Sequence, residues 1–382
     1  MFLKKLTLRS FRNYRDLSLD LSPGVNLFYG ENAQGKTNLL EAVYFLGGLR
    51  SFRGAKTAQV ISWNEKEGVV SGESVTVARN VGGYIGWMGP NVWKEPAGRV
   101  RRLEVTFTKD AKKAFIDGKR PASVREYLLA LKVTSFSAED LFLVKEYPSC
   151  RRRFLDRSIF HVYPAYLGVA GRYRAALRQL SAAMKSGDEA VVVSWEDVLA
   201  PLAAEVTMKR RERAEQLEPA AAALFGKVLG GGKLGLVYKT SARGGGLEEL
   251  EASWRSQMEK RRAEGMRRGH CLVGPHTDDV VVTLSGRDMR TTASRGQSRL
   301  SLLALVLADG GLYKTERGED PVLLLDDPAS ELDDKRRGAL MEYISGLGQV
   351  LIASTDAGLM GGKGVRYRVT TDSDGFGSVA ED

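Results

Sequence analysis

Residues 30–37 read Gly30-Glu31-Asn32-Ala33-Gln34-Gly35-Lys36-Thr37, which satisfies the pattern G-x-x-x-x-G-K-S/T. The preceding Val25-Asn26-Leu27-Phe28-Tyr29 has the content of a strand, and Asn38 to Leu46 has helical spacing. A Gly-rich turn between strand and helix lets backbone N–H groups face inward around phosphate oxygens, and the helix N-terminus adds partial positive charge. On this reading Gly30, Glu31, Asn32, Ala33, Gln34, Gly35, Lys36, Thr37 and Asn38 bind a nucleotide. Lys36 reaches the β- and γ-phosphates as a catalytic residue, and the Thr37 hydroxyl is a Mg2+ ligand. The competing reading is a Gly-rich turn that matches by chance; a strand on one side and a helix on the other argue against it.

Working outward, Val322-Leu323-Leu324-Leu325-Asp326-Asp327 is an apolar strand ending in two acids. Asp326 is predicted to bind Mg2+ through water, since a hard cation with a phosphate partner takes few protein oxygens. Asp327 is then placed to orient or deprotonate an attacking water. Solvated acids in a strand-end turn are the alternative, weakened by the phosphate loop upstream. Ser294-Arg295-Gly296-Gln297 precedes a helical run, Ser298 to Ala308, and forms a second helix N-terminus with a free hydroxyl and a small glycine. The phosphate loop already surrounds one side of a triphosphate, so Ser294, Arg295, Gly296 and Gln297 are most useful from the other side, on a second protomer. An ordinary N-cap serine is the alternative there. ATP and Mg2+ are the cofactors this set calls for.

Composition bounds the rest. The chain of 382 residues is 43% hydrophobic and 27% charged, proportions that support a buried core and exclude disorder as the main description. At roughly 100–200 residues per domain, two or three domains are expected. Lys and Arg number 57 against 47 Asp and Glu, and this excess favours an anionic partner without by itself identifying nucleic acid. Cys150 and Cys271 form no Cys-x-x-Cys pair, so neither a disulfide framework nor a thiolate metal site is expected. His161, His270 and His276 are too scattered for a metal site, and the five tryptophans, Trp63, Trp87, Trp93, Trp195 and Trp254, read as packing residues. With no signal-peptide stretch and no apolar run near the ~20 residues of a membrane span, a cytoplasmic location without a membrane is expected.

The fold class expected is α/β: a P-loop head with a mixed sheet and an inserted, mainly α-helical arm. Leu6-Thr7-Leu8 and Leu17-Ser18-Leu19-Asp20-Leu21 alternate at period two around a polar turn, as an antiparallel pair does. Leu103 to Phe107 reads as another strand, with Asp117-Gly118 as a turn. From about Ser123 the spacing becomes helical, with Tyr166, Val169, Tyr173, Leu177 and Leu180 at three- and four-residue steps. Gly230-Gly231-Gly232 and Gly244-Gly245-Gly246 mark loops. After about Met266 strands return at Val280 to Val282, Val322 to Leu325 and Val350 to Ala353, uninterrupted runs that suit central parallel strands. The expected organisation is thus residues 1–122 and 266–382 as two parts of one head, with 123–265 as the arm.

This ordered set resembles the ABC-type ATPase heads of the SMC superfamily: phosphate loop, S-x-G-Q signature, acidic strand end, and Ser330-Glu331-Leu332-Asp333 as the D-loop, which implies nucleotide contact at Asp333. Within that superfamily it is similar to the RecF family. The resemblance is carried by Leu8-Arg9-Ser10-Phe11-Arg12-Asn13-Tyr14, by Asn32 to Ala42, by Ser51-Phe52-Arg53, by Glu139-Asp140-Leu141, by Arg151 to Asp156, by Gly274-Pro275-His276 and by Asp278-Asp279. Thr277 stands where the family commonly has a basic residue, and Ala138 where it commonly has proline. The resemblance implies an ATP-dependent homodimer closing on double-stranded DNA near single-strand gaps, working with RecO and RecR to load RecA recombinase. It also implies a slow ATPase used as a switch.

Arg99 with Arg101 and Arg102, Arg151 to Arg153, Lys209 to Arg211, Lys260 to Arg262 and Arg267-Arg268 are candidate phosphate-neutralising clusters. A solvated helix face is the preferred reading for any single one. A P-loop small-molecule kinase is the alternative function, but it has no need of Ser294 to Gln297. An SMC-like tether needs long heptad arms, which this chain lacks.

Overall fold

A computed structural model describes residues 1–77, 98–137, 147–229, 232–330 and 332–382. Alternation at the start of the chain builds the first sheet: Leu6 and Leu8 are buried while Arg9 is exposed, in β1 (Phe2–Phe11). Arg12 and Asn13 turn the chain into β2 (Tyr14–Asp20), and Arg12 adopts a left-handed φ of 53° there. β4 (Glu67–Val77), β5 (Gly98–Thr108) and β6 (Lys112–Ile116) complete an antiparallel sheet of order β2-β1-β4-β5-β6.

The second sheet gathers distant segments. β3 (Val25–Tyr29), β7 (Val133–Phe136), β11 (Val322–Asp326), β12 (Val350–Ser354) and β13 (Val365–Thr371) run parallel, and β14 (Gly377–Glu381) adds an antiparallel edge; the order is β14-β13-β3-β12-β11-β7. β11 and β12 are apolar up to their terminal Asp326 and Ser354, as central parallel strands buried on both faces are.

Between the sheets lies the helix Lys36–Gly48, against β7, β11 and β12 on one side and β1, β4 and β5 on the other. Its residues from Leu39 to Gly47 are all buried, which explains a sequence apolar around nearly the whole helix. Phe11, Phe45 and Phe107 meet at ring-centroid distances of 5.8, 6.0 and 5.0 Å, joining β1, helix and β5 in one core.

The chain divides into two compact units, Met1–Asp140 with Lys227–Gly230 and Leu302–Asp382, and Leu141–Gly226 with Gly231–Ser301. The first holds both sheets above. The second holds the helices Pro148–Val162, Tyr166–Ser186, Glu189–Leu224 and Leu247–Arg268 and a three-stranded antiparallel sheet of order β10-β9-β8, from β8 (Leu234–Lys239), β9 (Asp279–Leu284) and β10 (Arg287–Asp288). Its 36-residue helix packs on both the Tyr166–Ser186 and Leu247–Arg268 helices and buries the small residues Ala200, Ala203 and Ala204. Gly187, at φ 80°, ends one helix, and the Asp188 carboxylate accepts from the Val191 N–H (3.1 Å) to start the next.

Three expectations change. Helical spacing does not take over at Ser123: after a single short helix, Val124–Leu128, Val133–Phe136 is a strand of the parallel sheet. Its four residues are too few for periodicity to register. Val280–Val282 lies in β9, which pairs antiparallel on both sides; an apolar run reports burial and not strand direction. The segment 266–301, expected in the head, falls within the second unit. The motif Glu139-Asp140-Leu141 and residues Ala138, Trp87, Trp93, Gly230, Gly231 and Glu331 lie outside the described residues.

Candidate functional site

The parallel sheet brings the C-terminal ends of β3, β12 and β11 side by side. Such an edge, at neighbouring parallel strands, is where open α/β sheets bind ligands. Tyr29 ends β3 and the loop Gly30–Gly35 follows, opening into the Lys36–Gly48 helix as the spacing predicted. Gly35 has φ 101°, and a Cβ there would sit 2.5 Å from Asn13 Nδ2 and 2.9 Å from Tyr14 Oη, so only glycine fits. The Gln34 carbonyl accepts from Asn13 Nδ2 (3.3 Å), the Gly35 carbonyl accepts from Tyr14 Oη (3.1 Å), and Asn38 Nδ2 donates to Asn13 Oδ1 (2.8 Å). The turn between β1 and β2 therefore props the loop. Gln34 Oε1 accepts from the Glu31 N–H (2.9 Å).

Lys36 is 8% exposed, and its ammonium donates to the Gly30 carbonyl (2.8 Å) and the Glu31 carbonyl (2.5 Å). Burial pushes its pKa down, opposed by the Asp326 and Asp327 carboxylates. The Thr37 hydroxyl donates to Asp326, 2.9 Å from Oδ1 and 3.1 Å from Oδ2. A hydroxyl and a carboxylate held together at the first helical turn are a hard-oxygen pair of the kind Mg2+ takes when phosphates and water supply the rest. Among the described residues no group of three or more His, Cys, Asp or Glu side chains could hold a metal ion. Asp327, next along, has φ 50° and donates its N–H to the Ala353 carbonyl (2.8 Å), which holds the acidic turn against β12. A non-glycine residue in this region is strained, and such strain gathers at functional sites.

Sequence reasoning gave no role to a second layer. Glu41 is fully buried inside the central helix. Its carboxylate accepts from Arg12 Nε and Nη2, both at 2.8 Å, and from the Ser51 hydroxyl. Arg12 Nη1 also donates to the Gln59 carbonyl (2.7 Å). Arg12, Asn13, Glu41 and Ser51 thus lock the helix that carries Lys36 and Thr37 to the turn that supports Gly35. An isolated acid in an otherwise apolar helix was the signal available. At the end of β12, Ser354 Oγ accepts from the Asp356 N–H (3.1 Å).

Ser294 caps the helix Arg295–Arg317: its hydroxyl accepts from the Gln297 N–H (3.2 Å) while Gln297 Oε1 accepts from the Ser294 N–H (3.0 Å). Serine and glutamine at this spacing make a capping box. Ser294, Arg295 and Gln297 are exposed and Gly296 half-buried, all in the second unit. Asp333 caps the helix Asp334–Ser345, accepting from the Arg336 N–H (2.9 Å).

Arg151 and Arg210 are buried within the basic clusters, whereas Arg99, Arg102, Arg153, Lys260, Arg261, Arg267 and Arg268 are exposed. Arg151 is 1% exposed and pairs with Asp279 at 2.7 and 2.9 Å. Arg210 is also buried; it pairs with Asp156 at 2.8 and 3.0 Å and donates to the Pro275 carbonyl (2.6 Å). Arg262 pairs with Glu196 and Arg268 with Glu264 (both 2.7 Å), and Arg102 lies 3.8 Å from Glu104. His276 accepts from Tyr173 Oη at Nδ1 (2.6 Å) and donates from Nε2 to the Cys271 carbonyl (3.1 Å), and burial lowers its pKa. Thr277 closes a turn on the Gly274 carbonyl (2.8 Å). Trp254 is buried, as expected, but Trp63 is 86% exposed and does not pack.

Residues 2–377 match the family model described as RecF/RecN/SMC N terminal domain. The chain is 35% identical over 372 residues to a DNA replication and repair protein RecF of Anaeromyxobacter sp. (strain K), covering 94% of each, and 32% identical over 369 residues to that of Geobacter sulfurreducens, covering 96% of each. Its backbone is similar to a solved structure of the recombination mediator protein RecF-ATP in the RecFOR pathway, with TM-score 0.86 and 27% identity, over 100% of this chain and 99% of that one. An Smc head bound to the C-winged helix domain of ScpA shares the fold at TM-score 0.58 and 16% identity, over 100% of this chain and 98% of that one.

Proposed function

Because the chain belongs to the RecF family of the RecF/RecN/SMC N-terminal-domain group, we propose that it is a cytoplasmic DNA replication and repair protein that uses ATP to close as a homodimer on DNA. The observation that carries this is the meeting of Thr37 and Asp326 beside the Lys36 loop, which supports reading two motifs far apart in sequence as one triphosphate-binding edge. Gly30 to Asn38 cradle the phosphates through the loop backbone and the helix N-terminus. Lys36 exchanges its two carbonyl partners for the β- and γ-phosphates. Thr37 and Asp326 hold Mg2+, which when bound supplies charge neutralisation on the phosphate oxygens. Asp327 orients or deprotonates the attacking water.

Ser294, Arg295, Gly296 and Gln297 of the partner subunit, with its Asp333, complete the pocket. ATP thereby acquires different affinities for monomer and dimer, and this difference shifts the population. Slow hydrolysis opens the clamp. The dimer binds double-stranded DNA near single-strand gaps, and RecO and RecR act with it to load RecA. Contacts to phosphates make the binding salt-sensitive and largely independent of sequence.

DNA binding measured with ATP, ADP and a non-hydrolysable ATP analogue across a salt series tests this. Tight binding is expected with ATP and the analogue and weak binding with ADP, with affinity falling as salt rises. Equal affinity in all three nucleotides overturns the switch.

A further inference from the structure

The second unit contains a cavity of about 280 Å3 beside the N-terminus of the Pro148–Val162 helix, with Ser149, Arg152, Arg153, Arg174 and Arg210 on its walls and His276 among its other lining residues. Its charge is unbalanced. Asp156, the acid lining it, is bonded to Arg210 and to Tyr166 Oη (2.6 Å). Asp279 is taken by Arg151 and Arg290, and the Asp278 carboxylate accepts from Tyr238 Oη (2.5 Å). Arg152 donates to the Asp278 main-chain carbonyl (2.6 Å), Arg153 has only the Cys150 sulfur (3.1 Å), and Arg174 has no hydrogen bond or ion pair among the described residues. The helix end adds to the imbalance: Tyr147 supplies no side-chain cap and the first turn carries no acid. Arginines near a helix N-terminus are electrostatically unfavourable, and an anion relieves them. Burial, and next the nearby Arg210 charge, lower the Arg152 pKa.

We propose that Arg152, Arg153 and Arg174 bind a phosphate monoester dianion in this cavity. Guanidinium forks match the terminal oxygens of such a group, and several of them favour two charges over one. A recessed cavity suits a terminal phosphate better than a diester within a duplex. The phosphate comes either from the end of a nucleic-acid strand, which rests on the DNA-binding reading above, or from a small free phosphate compound.

The test uses the full chain with its nucleotide site saturated by ADP and Mg2+, titrated calorimetrically with inorganic phosphate. Saturable binding is expected, weakened at least tenfold in Arg153→Ala/Arg174→Ala; no saturable binding, or equal affinity in the variant, overturns the proposal. Both side chains are exposed, and Arg174→Gln alone repeats the comparison should the double variant fail to fold. A gapped duplex with a 5′-phosphate or a 5′-hydroxyl at the gap separates the sources. A several-fold preference for the phosphate, lost in the variant, supports a strand end; no preference alongside saturable phosphate binding supports a free compound. ATP-driven dimerisation of the variant stays at the wild-type level, so failure here and failure of the clamp reading are distinguishable.

Discussion

At the residue scale, Gly35 and Arg12 carry two different risks. Gly35 combines a left-handed φ with an approach to Asn13 that leaves no room for a Cβ. Gly35→Ala is expected to cost about 1–3 kcal/mol in backbone strain, before the displacement of Asn13 and Tyr14 is counted. Calorimetric ATP binding should fall at least tenfold; wild-type affinity would show that the loop relaxes freely. Arg12 matters because Glu41 is buried and cannot recover water when its partner is removed. Arg12→Ala leaves only Ser51 on that carboxylate and is expected to destabilise by about 3 kcal/mol, read by urea unfolding. Adding Glu41→Gln to Arg12→Ala should recover part of that loss, since the amide is cheaper to bury than the charge. If the double variant is no better than the single one, the Arg12 packing and not the stranded charge is what counts.

At the scale of elements, the helical unit is tied together by polar side chains reaching between helices and loops. Arg210 spans to Asp156 and the Pro275 carbonyl, Arg213 donates to Ser158 (2.5 Å), and Tyr173 joins His276. Burial lowers the His276 pKa, so the unfolded chain takes up this proton first as pH falls. The stability contribution is complete above the unfolded value of about 6.5 and declines as pH drops below it. Urea midpoints between pH 7.5 and 5 should fall more steeply for the wild type than for His276→Gln, which does not titrate in this range; parallel curves would mean that the ring is protonated without penalty. The same network marks the limit of reading from sequence. Gly30 to Thr37 and Asp326-Asp327 were legible because a strand, a special turn and a helix form one continuous local pattern. The solvated-face reading fails at Arg151 and Arg210, which are buried, because charge patterning shows what is charged but not what it faces; Asp156 and Asp279 are distant in sequence from some of their partners. β7 was lost for another reason, since Val133–Phe136 is recognisable only from its pairing with β11.

For the whole molecule, the phosphate loop and the Ser294 signature lie in different compact units of the chain, while among the described residues Ser294 bonds only within its own helix turn. Changing Ser294 therefore leaves the loop and its supports intact. Ser294→Arg should bind ATP with near-wild-type affinity yet remain monomeric in gel filtration with ATP, because in the proposed composite site its bulk and charge would meet the other subunit's triphosphate. Lys36→Met should fail at the earlier step and lose both binding and dimerisation. Asp327→Asn should do the reverse of both, dimerising with ATP and failing to dissociate, since on the proposed roles the phosphate grip is kept and the group that orients water is weakened. The three variants order the steps as grip, closure and release. An Asp327→Asn dimer that dissociates at the wild-type rate would assign water activation to another residue, with Asp356 at the end of the neighbouring strand the first to substitute.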